Sequence, residues 1–204
     1  MREIKEKFDK KDIADLPVEA FGGRIYVLLT EREAEQAVKV LMRQPIVGID
    51  TETRPTFRRG QMRNVALLQV STWDTCFLFR LNRMGIPPCV VQLFESPNVA
   101  KVGLSLKDDF AQLRRSASLT PQACIDLQDE VKRIGIQDLS LQKIYANLFG
   151  RKISKRQQLT NWEADVLTSA QQLYAATDAW ACLRMHEEIG RLWRQDDYVL
   201  IKAE

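Results

Sequence analysis

Four acidic residues in three distant segments are the side chains of this sequence best suited to chemistry. Asp50 and Glu52 follow an apolar run in PIVGIDTET, Asp109 lies in KVGLSLKDDFAQL, and Asp178 lies in LYAATDAW. The first and third settings are too apolar for acids that simply face water. Carboxylates held together repel one another unless a cation or a proton intervenes. We therefore expect these acids to converge on a hard cation such as Mg²⁺ or Mn²⁺, which prefers oxygen ligands.

Asp50 and Glu52 are predicted to point to one face of a strand. Side chains two positions apart share a strand face, and the preceding run IVGID is typical of a buried strand. A D-x-E triplet alone is a weak signal, because a strand-end turn with solvated acids has the same letters. Its position at the end of an apolar strand favours a metal-binding interpretation.

Asp109 has a rival in its neighbour Asp108. Both lie near the start of a helix predicted over 107–116, where acids by themselves can cap the helix and complement its dipole. Leu113 comes one turn after Asp109 and would anchor that face of the helix to the core. We therefore prefer Asp109 as the ligand.

Tyr174 precedes Asp178 by four residues, so the two side chains share one face of a long helix predicted over 169–195. Taken alone, the pair could be a hydrogen bond on the helix surface. The surrounding AATDA is mostly small and apolar, which is unusual for a solvent face and lets a helix approach a sheet closely. A phenol beside a metal-binding carboxylate can orient a metal-bound water, or deprotonate it.

Hydrophobic patterns predict the elements that must position these side chains. Strands are expected at 24–29, 45–50, 64–72, 76–81, 98–104 and within QACIDLQ, and helices at 30–44, within VQLFES, and at 107–116, 138–149 and 169–195. Thr30 and Glu33 form a capping box at the first helix, and the turn WDT indicates an antiparallel hairpin. Interleaved strands and helices with an early hairpin imply an α/β fold with a mixed sheet.

Size and composition favour a single domain. The 204 residues are 45% hydrophobic and 28% charged, enough for one well-filled core with little room for a second. We predict a loosely held polar lead-in over residues 1–23, a domain over 24–197 and a tail over 198–204. The net charge of +3 tolerates a polyanionic partner without requiring one.

Other features bear on where the protein acts. The charged N-terminus lacks the apolar core of a signal peptide, and no apolar run approaches the length of a bilayer span. The four cysteines include no C-x-x-C pair, which favours reduced thiols. We expect a cytoplasmic, or otherwise intracellular, protein without a membrane segment.

In combination, the three acidic motifs resemble those of the DEDDy branch of the DEDD 3′–5′ exonucleases, the group of ribonuclease D and the exonuclease domain of the Werner-syndrome helicase. VGIDTE matches the apolar strand that ends in D-x-E, VGLSLKDDFAQL the strand that leads to D-x-x-x-L, and LYAATDAW the helical Y-x-x-x-D. The histidine branch would place His five residues before the last Asp, where this chain has Leu173. The resemblance covers roughly residues 25–195.

This resemblance implies a ribonuclease H-like fold, with a mixed sheet of five to six strands and helices on both faces. It also implies a metal-dependent 3′–5′ exonuclease that uses two divalent cations, Mg²⁺ or Mn²⁺. The partner would be a nucleic acid, DNA or RNA, presented as a single strand or a 3′ end. By the same resemblance, the four acids would bind the metals and Tyr174 would position the attacking water.

Substrate contacts are predicted near these motifs. Thr51 lies between the first two acids, and Arg156 could hold a phosphate. Phe57 could stack on a terminal base or, equally, pack into the core. Basic residues cluster in two segments: Arg54, Arg58, Arg59 and Arg63, and Arg151, Lys152, Lys155 and Arg156. Such charge runs are usually solvated loops, and that alternative stays open.

Two questions stay open at this point. The same fold could serve as a catalytically silent module that binds nucleic acid or protein, although the presence of all four acids and Tyr174 favours an enzyme. The oligomeric state and any protein partner are not indicated by the sequence.

Overall fold

The computed structural model describes residues 1–56 and 62–203, which form eight strands and a set of helices around them. In chain order the elements are β1 (Arg2–Lys5), a 3₁₀-helix (Lys10–Ile13), β2 (Arg24–Leu28), α1 (Glu31–Leu41), β3 (Ile46–Thr53), β4 (Val65–Ser71), β5 (Thr75–Phe79), α2 (Leu81–Met84), α3 (Pro88–Glu95), β6 (Ala100–Gly103), α4 (Leu106–Leu113), β7 (Cys124–Asp126), α5 (Leu127–Arg133), α6 (Leu141–Phe149), α7 (Ser169–Gln195) and β8 (Tyr198–Ile201).

A six-stranded mixed sheet forms the centre, in the order β2-β5-β4-β3-β6-β7. Strand β4 runs antiparallel to both β3 and β5, whereas the remaining neighbours pair in parallel. The β4–β5 pairing is the hairpin predicted from the turn WDT. The predicted α/β class with a mixed sheet is therefore confirmed.

Alternation along the central strands distributes apolar side chains to both faces of this sheet. Val47 and Ile49 of β3 belong to one core cluster with side chains of α1, α3 and α4. Leu67 of β4 and Leu78 of β5 belong to another cluster, with residues of α7. Because helices cover both faces, the strands read as nearly continuous apolar runs.

Helix α7 crosses the second face in contact with β3, β4, β5 and β6. Its approach to β3 depends on Gly48, where an added Cβ would lie only 2.0 Å from the carbonyl oxygen of Ala179. Any side chain at this position would push the helix away from the strand. The small residues near Asp178 thus meet a matching glycine in the sheet.

Two local differences from the predicted elements concern the site and its surroundings. Strand β3 continues to Thr53, so Asp50 and Glu52 lie inside a strand rather than at its end. Continued pairing with β4 past Glu52 explains the extension, which the polar letters after Asp50 did not suggest. The short helices α2 and α5 were not predicted, whereas the capping box of Thr30 and Glu33 is present.

The chain ends form a structure that we did not predict. Strand β1 pairs in parallel with β8, in a small sheet apart from the central one. Ile4 is fully buried, so the lead-in is not loosely held at this point. Its partner strand lies almost the whole chain length away, and local patterns carry no signal for such a pairing. The proposed limits of the domain stay a prediction.

Among the helices of the described ranges, none combines the length and the apolarity that a bilayer span requires.

Candidate active site

The carboxylates of Asp50, Glu52 and Asp178 meet on the α7 face of the sheet. Each offers an oxygen, and the three oxygens lie within 4.8 Å of one another. Strand β3 turns Asp50 and Glu52 to the same face because they are two positions apart. Helix α7 supplies Asp178 because Gly48 permits its close approach. The acids of the first and third motifs therefore converge, as their sequence settings indicated.

Asp109 stands beside this cluster rather than inside it. Its Oδ1 accepts a 2.5 Å hydrogen bond from Thr51 Oγ1, and Thr51 lies between the two acids of β3. The neighbouring Asp108 is exposed and accepts a hydrogen bond from Ser105 Oγ at 2.8 Å. Of the two acids at the start of α4, Asp109 is the one linked to the site, through its hydrogen bond with Thr51.

The orientation of α4 depends on a carboxylate that the sequence did not single out. Asp126, at the end of β7, accepts hydrogen bonds from the backbone N–H groups of Ser105 at 3.0 Å and Leu106 at 2.8 Å. Ser105 adopts a left-handed backbone with φ of 62°. Asp126 also accepts from the N–H of Gln128, so it caps α5 as well. A short strand followed by Asp and then a helix was the available signal.

Tyr174 forms the wall of the site next to Asp178. Its side chain is mostly buried, and its ring packs 5.9 Å from the ring of Trp162, centroid to centroid. Trp162 is completely buried, and its indole N–H donates to the carbonyl of Gln158 at 3.4 Å. The segment before α7 therefore fixes the position of the phenol.

Burial makes the carboxyl groups of the site hold their protons more tightly than usual. Burial, followed by repulsion from Asp178 and Asp109, raises the pKa of Glu52 to about 9. Burial also raises the pKa of Asp178 to about 7, against the opposing effect of a hydrogen bond with Tyr174. The pKa of Asp109 rises to about 6, again chiefly through burial. Burial and three acidic neighbours raise the pKa of Asp50 well above its ordinary value.

The acids of the site lack ion-pair partners in the part of the chain that the structure describes, although the charge of Lys155 attracts Asp178 from a greater distance. Within residues 1–56 and 62–203, none of the four acids forms a salt bridge with Lys, Arg or His. Asp178 Oδ1 is buried and has no hydrogen-bond partner in the same part of the chain. Clustered carboxylate oxygens, one of them unsatisfied, are a donor set that fits a divalent cation.

A cavity of about 310 Å³ lies over these acids. Thr51 and Tyr174 contribute to its wall together with the three clustered carboxylates. The wall also includes polar side chains from the segments around α6 and before α7: Ser140, Gln142, Ser154, Lys155 and Gln158. This cavity is polar, and one lysine stands in its wall opposite a set of acids. It can receive an anionic ligand together with cations that offset the negative charge of the ligand and of the acids.

The chain is similar to known nucleases over most of its length. A family model described as 3′-5′ exonuclease matches residues 25–193. The chain belongs to this 3′–5′ exonuclease family. The predicted kinship with DEDD-type exonucleases is thereby confirmed.

Two curated relatives show the level of sequence identity and how much of each relative this chain spans. The chain is 30% identical to a 3′-5′ exonuclease of Arabidopsis thaliana, over 87% of its own length and 67% of the relative's. It is 29% identical to the bifunctional 3′-5′ exonuclease/ATP-dependent helicase WRN of Mus musculus, over 72% of its own length. That match spans only 11% of the mouse protein.

Solved structures support the fold. The Nibbler EXO domain of Aedes aegypti superposes with a TM-score of 0.80 at 19% identity, over 89% of this chain and 95% of that one. The RNase D of Trypanosoma brucei, in complex with RNA U12, superposes with a TM-score of 0.72 at 18% identity, over 83% of this chain and 63% of that one.

Of the three residues predicted to contact substrate, the structure places one in the wall of the cavity. Thr51 lines the cavity and donates to Asp109. Arg156 is exposed, and its neighbour Lys155 is the one that lines the cavity. Phe57 lies outside the described residues.

Four polar residues of the cavity wall, Ser140, Gln142, Ser154 and Gln158, were missed by sequence reasoning. They belong to no recognisable motif, and only the fold brings them to the acids.

Proposed function

We propose that this chain is a DEDDy-type 3′–5′ exonuclease that removes nucleotides from the 3′ end of a nucleic acid by metal-assisted hydrolysis. The observation that carries the proposal is the cluster of buried carboxylates beside Tyr174. Buried acids without a cationic partner destabilise a protein, so their presence together points to a role in binding or catalysis. Membership of the exonuclease family supports the same reading.

Asp50, Glu52, Asp109 and Asp178 would hold two divalent cations, Mg²⁺ or Mn²⁺. Bound cations of this kind would polarise the phosphoryl oxygen and stabilise the attacking and leaving oxygens of an in-line displacement. The acids themselves supply the negative charge that attracts the ions. A hydrogen bond from Thr51 ties the carboxylate of Asp109 to β3, between Asp50 and Glu52.

Tyr174 would orient the attacking water. Burial, followed by the negative charge of Asp178 and Glu52, raises the pKa of the phenol above its ordinary value. The phenol therefore stays protonated at neutral pH and acts as a hydrogen-bonding group rather than as a base. Packing against Trp162 holds the ring in place, which reduces the entropy lost when water is positioned.

A nucleic-acid strand would enter the cavity with its 3′ end over the acids. Lys155 provides a positive charge in the wall, suited to a backbone phosphate. The related RNase D of Trypanosoma brucei has been solved in complex with RNA U12, which supports nucleic acid as the ligand class. Both DNA and RNA are candidate substrates of the proposed activity.

Degradation of matched DNA and RNA oligonucleotides, labelled at the 5′ end, tests this proposal. With Mn²⁺ or Mg²⁺ we expect a ladder of products that shorten by one nucleotide at a time from the 3′ end, and no products in EDTA. Loss of the 5′ label as the first event would contradict the polarity. Binding without shortening in either metal would instead support a catalytically silent interaction module.

Metal binding can be tested separately from activity. Mn²⁺ should raise the melting temperature of the wild-type protein, because a ligand that binds only the folded state stabilises it. Asp50→Asn should weaken that rise. An equal rise in both proteins would place the cation elsewhere.

A further inference from the structure

Glu163 bridges two arginines at the edge of the candidate active site. Arg54 Nη1 lies 3.1 Å from Glu163 Oε2, and Arg63 Nη1 lies 3.2 Å from the same oxygen. The three side chains remain partly open to solvent, with exposures of 42% for Arg54, 31% for Arg63 and 24% for Glu163. A single carboxylate therefore faces two guanidinium groups that solvent can reach.

This three-residue cluster is close to the acids. Arg54 comes two residues after Glu52, just past the end of β3, and a strand advances about 3.3 Å per residue. Glu163 directly follows Trp162, whose ring packs against Tyr174. The cluster thus joins the end of β3 to the segment that supports the phenol.

Of the two arginines, Arg63 also borders a second cavity, away from the acids. This cavity, of about 580 Å³, is lined by Arg63 and Glu163 and by polar side chains such as Asn64, Asn82 and Ser116. Arg63 Nε is buried and has no hydrogen-bond partner among the described residues. A guanidinium group presents donors in a rigid fork that suits a phosphate, so Arg63 retains capacity for an anion.

We propose that Arg54 and Arg63 form a binding site for a backbone phosphate of the nucleic acid, and that Glu163 occupies this site in the free protein as a competing anion. The inference rests on the proposed function, because it assumes a nucleic-acid ligand. A phosphate that enters between the arginines displaces Glu163 and exchanges one anionic partner for another. Glu163 therefore sets how tightly the strand is held next to the acids.

Physical magnitudes indicate that this exchange is feasible. Ion pairs with this degree of exposure are worth little, so a polyanion can displace the carboxylate. A site that is closed for part of the time lowers the apparent affinity by the fraction of open molecules. Removing the charge of Glu163 should therefore tighten binding by roughly two- to tenfold.

The main test compares Glu163→Gln with a matched control, Asp165→Asn. Each variant removes one negative charge from the same segment. Asp165, however, is 93% exposed and pairs with Arg83 rather than with Arg54 and Arg63. Dissociation constants for a labelled single-stranded oligonucleotide are measured by fluorescence anisotropy in EDTA, where no hydrolysis occurs. KM is then measured with Mn²⁺.

We expect Glu163→Gln to lower both the dissociation constant and KM, whereas Asp165→Asn leaves them within about twofold of wild type. Arg63→Gln should weaken binding and make the dependence of log affinity on log salt shallower by about 0.7. In the Arg54→Gln/Arg63→Gln background, the additional Glu163→Gln change should have no effect. Melting temperatures confirm that each variant is folded.

Equal affinities for Glu163→Gln and Asp165→Asn would overturn the inference, as would weaker binding by Glu163→Gln. Either result, with a wild-type protein that still shortens the oligonucleotide from its 3′ end, would leave the proposed function intact. A wild-type protein that neither binds nor shortens any DNA or RNA would remove the proposed function and this inference together.

Discussion

Helix α7 contributes to two clusters that contain acidic side chains, and the two clusters differ in whether those acids have ion-pair partners. Asp178 belongs to a cluster of carboxylates that form no salt bridge among the described residues. Six residues later, Arg184 donates to Glu19 Oε1 at 2.6 Å, while Tyr145 donates to Glu19 Oε2 at 2.7 Å. The same guanidinium lies 4.5 Å from the centre of the Phe149 ring. The carboxylates around Asp178 repel one another, whereas Glu19 is paired with Arg184 and Tyr145.

This contrast separates charge that serves stability from charge that serves function. A paired and stacked cluster holds elements together, here the lead-in, α6 and α7. A cluster of like charges costs stability unless a ligand neutralises it. Changes in the paired region should therefore affect folding, whereas changes in the acidic cluster should affect metal binding and catalysis.

The largest effect should follow from Asp178→Asn. Loss of this carboxylate removes a proposed metal ligand while keeping the shape of the side chain, so we expect the rate of 3′-end shortening to fall by about 10³-fold or more. Because one of several repelling charges is removed, the metal-free variant should melt no lower than wild type. Product ladders and thermal melts in EDTA measure the two properties.

A matched change elsewhere on the chain controls for this variant. Asp165→Asn removes an exposed carboxylate that lines neither cavity, and it should keep the wild-type rate. An active Asp178→Asn protein, or one that melts far below wild type in EDTA, would erase the distinction between the two regions.

Tyr174→Phe should have the next largest effect. The hydroxyl is lost but the ring can still pack on Trp162, so kcat should fall about 10- to 100-fold through poorer water positioning. Mn²⁺ affinity, from the thermal shift, should stay close to wild type. A lower affinity with an unchanged kcat would assign the phenol to metal binding instead.

How far the sequence predicts this site differs from residue to residue. Asp50 and Glu52 were predictable because the two-residue period of a strand fixes their common face. Asp178 was predictable because its small neighbours indicate a helix packed closely on a sheet, and Gly48 is the matching gap. These are local rules that short stretches of sequence obey.

Other features depend on contacts between distant segments, and local patterns do not carry them. Glu163 reads as an ordinary loop acid until the fold places it against Arg54 and Arg63. The pairing of β1 with β8 likewise joins the two ends of the chain, with Ile4 as its only buried residue in β1. Such partners follow from topology, which a single sequence specifies only through the whole fold.

Arg184→Met tests the paired region. The change keeps much of the apolar stem but leaves Glu19 with only its longer ion pair, to Arg151 at 3.9 Å. The side chains of Arg184 and Glu19 are 27% and 22% exposed. We expect the free energy of unfolding to fall by about 2 kcal/mol, less than for a fully buried pair because solvent screens this one in part. Urea denaturation measures the loss.

The control for Arg184→Met is the exposed pair of Arg24 and Asp74, whose side chains are 69% and 76% exposed. Arg24→Met should change stability by less than about 0.5 kcal/mol. The kcat of Arg184→Met should match wild type at temperatures where the protein is folded. A stable variant with reduced kcat would instead assign the paired region to function.

The last expected effect is a dependence of stability on pH that reverses when metal is present. Asp109, Asp178 and Glu52 have pKa values raised to about 6, 7 and 9, above the values of acids in an unfolded chain. At a pH between the pKa of an acid in the unfolded chain and its higher pKa in the folded protein, the folded protein binds more protons than the unfolded chain. The free energy of unfolding contributed by these groups is therefore highest below about pH 4 and falls as the pH rises toward about 9.

Urea denaturation in EDTA, from about pH 5 to about pH 8, should show this fall in the wild type and a shallower fall in Asp178→Asn, with each proton accounting for at most about 1.4 kcal/mol per pH unit. Excess Mn²⁺ should reverse the slope, because a cation binds the ionised carboxylates and so stabilises the folded state more at higher pH. Parallel curves for the two proteins in EDTA would mean that Asp178 does not share in the repulsion, and the contrast with the Glu19 region would then rest on Asp50 and Glu52 alone.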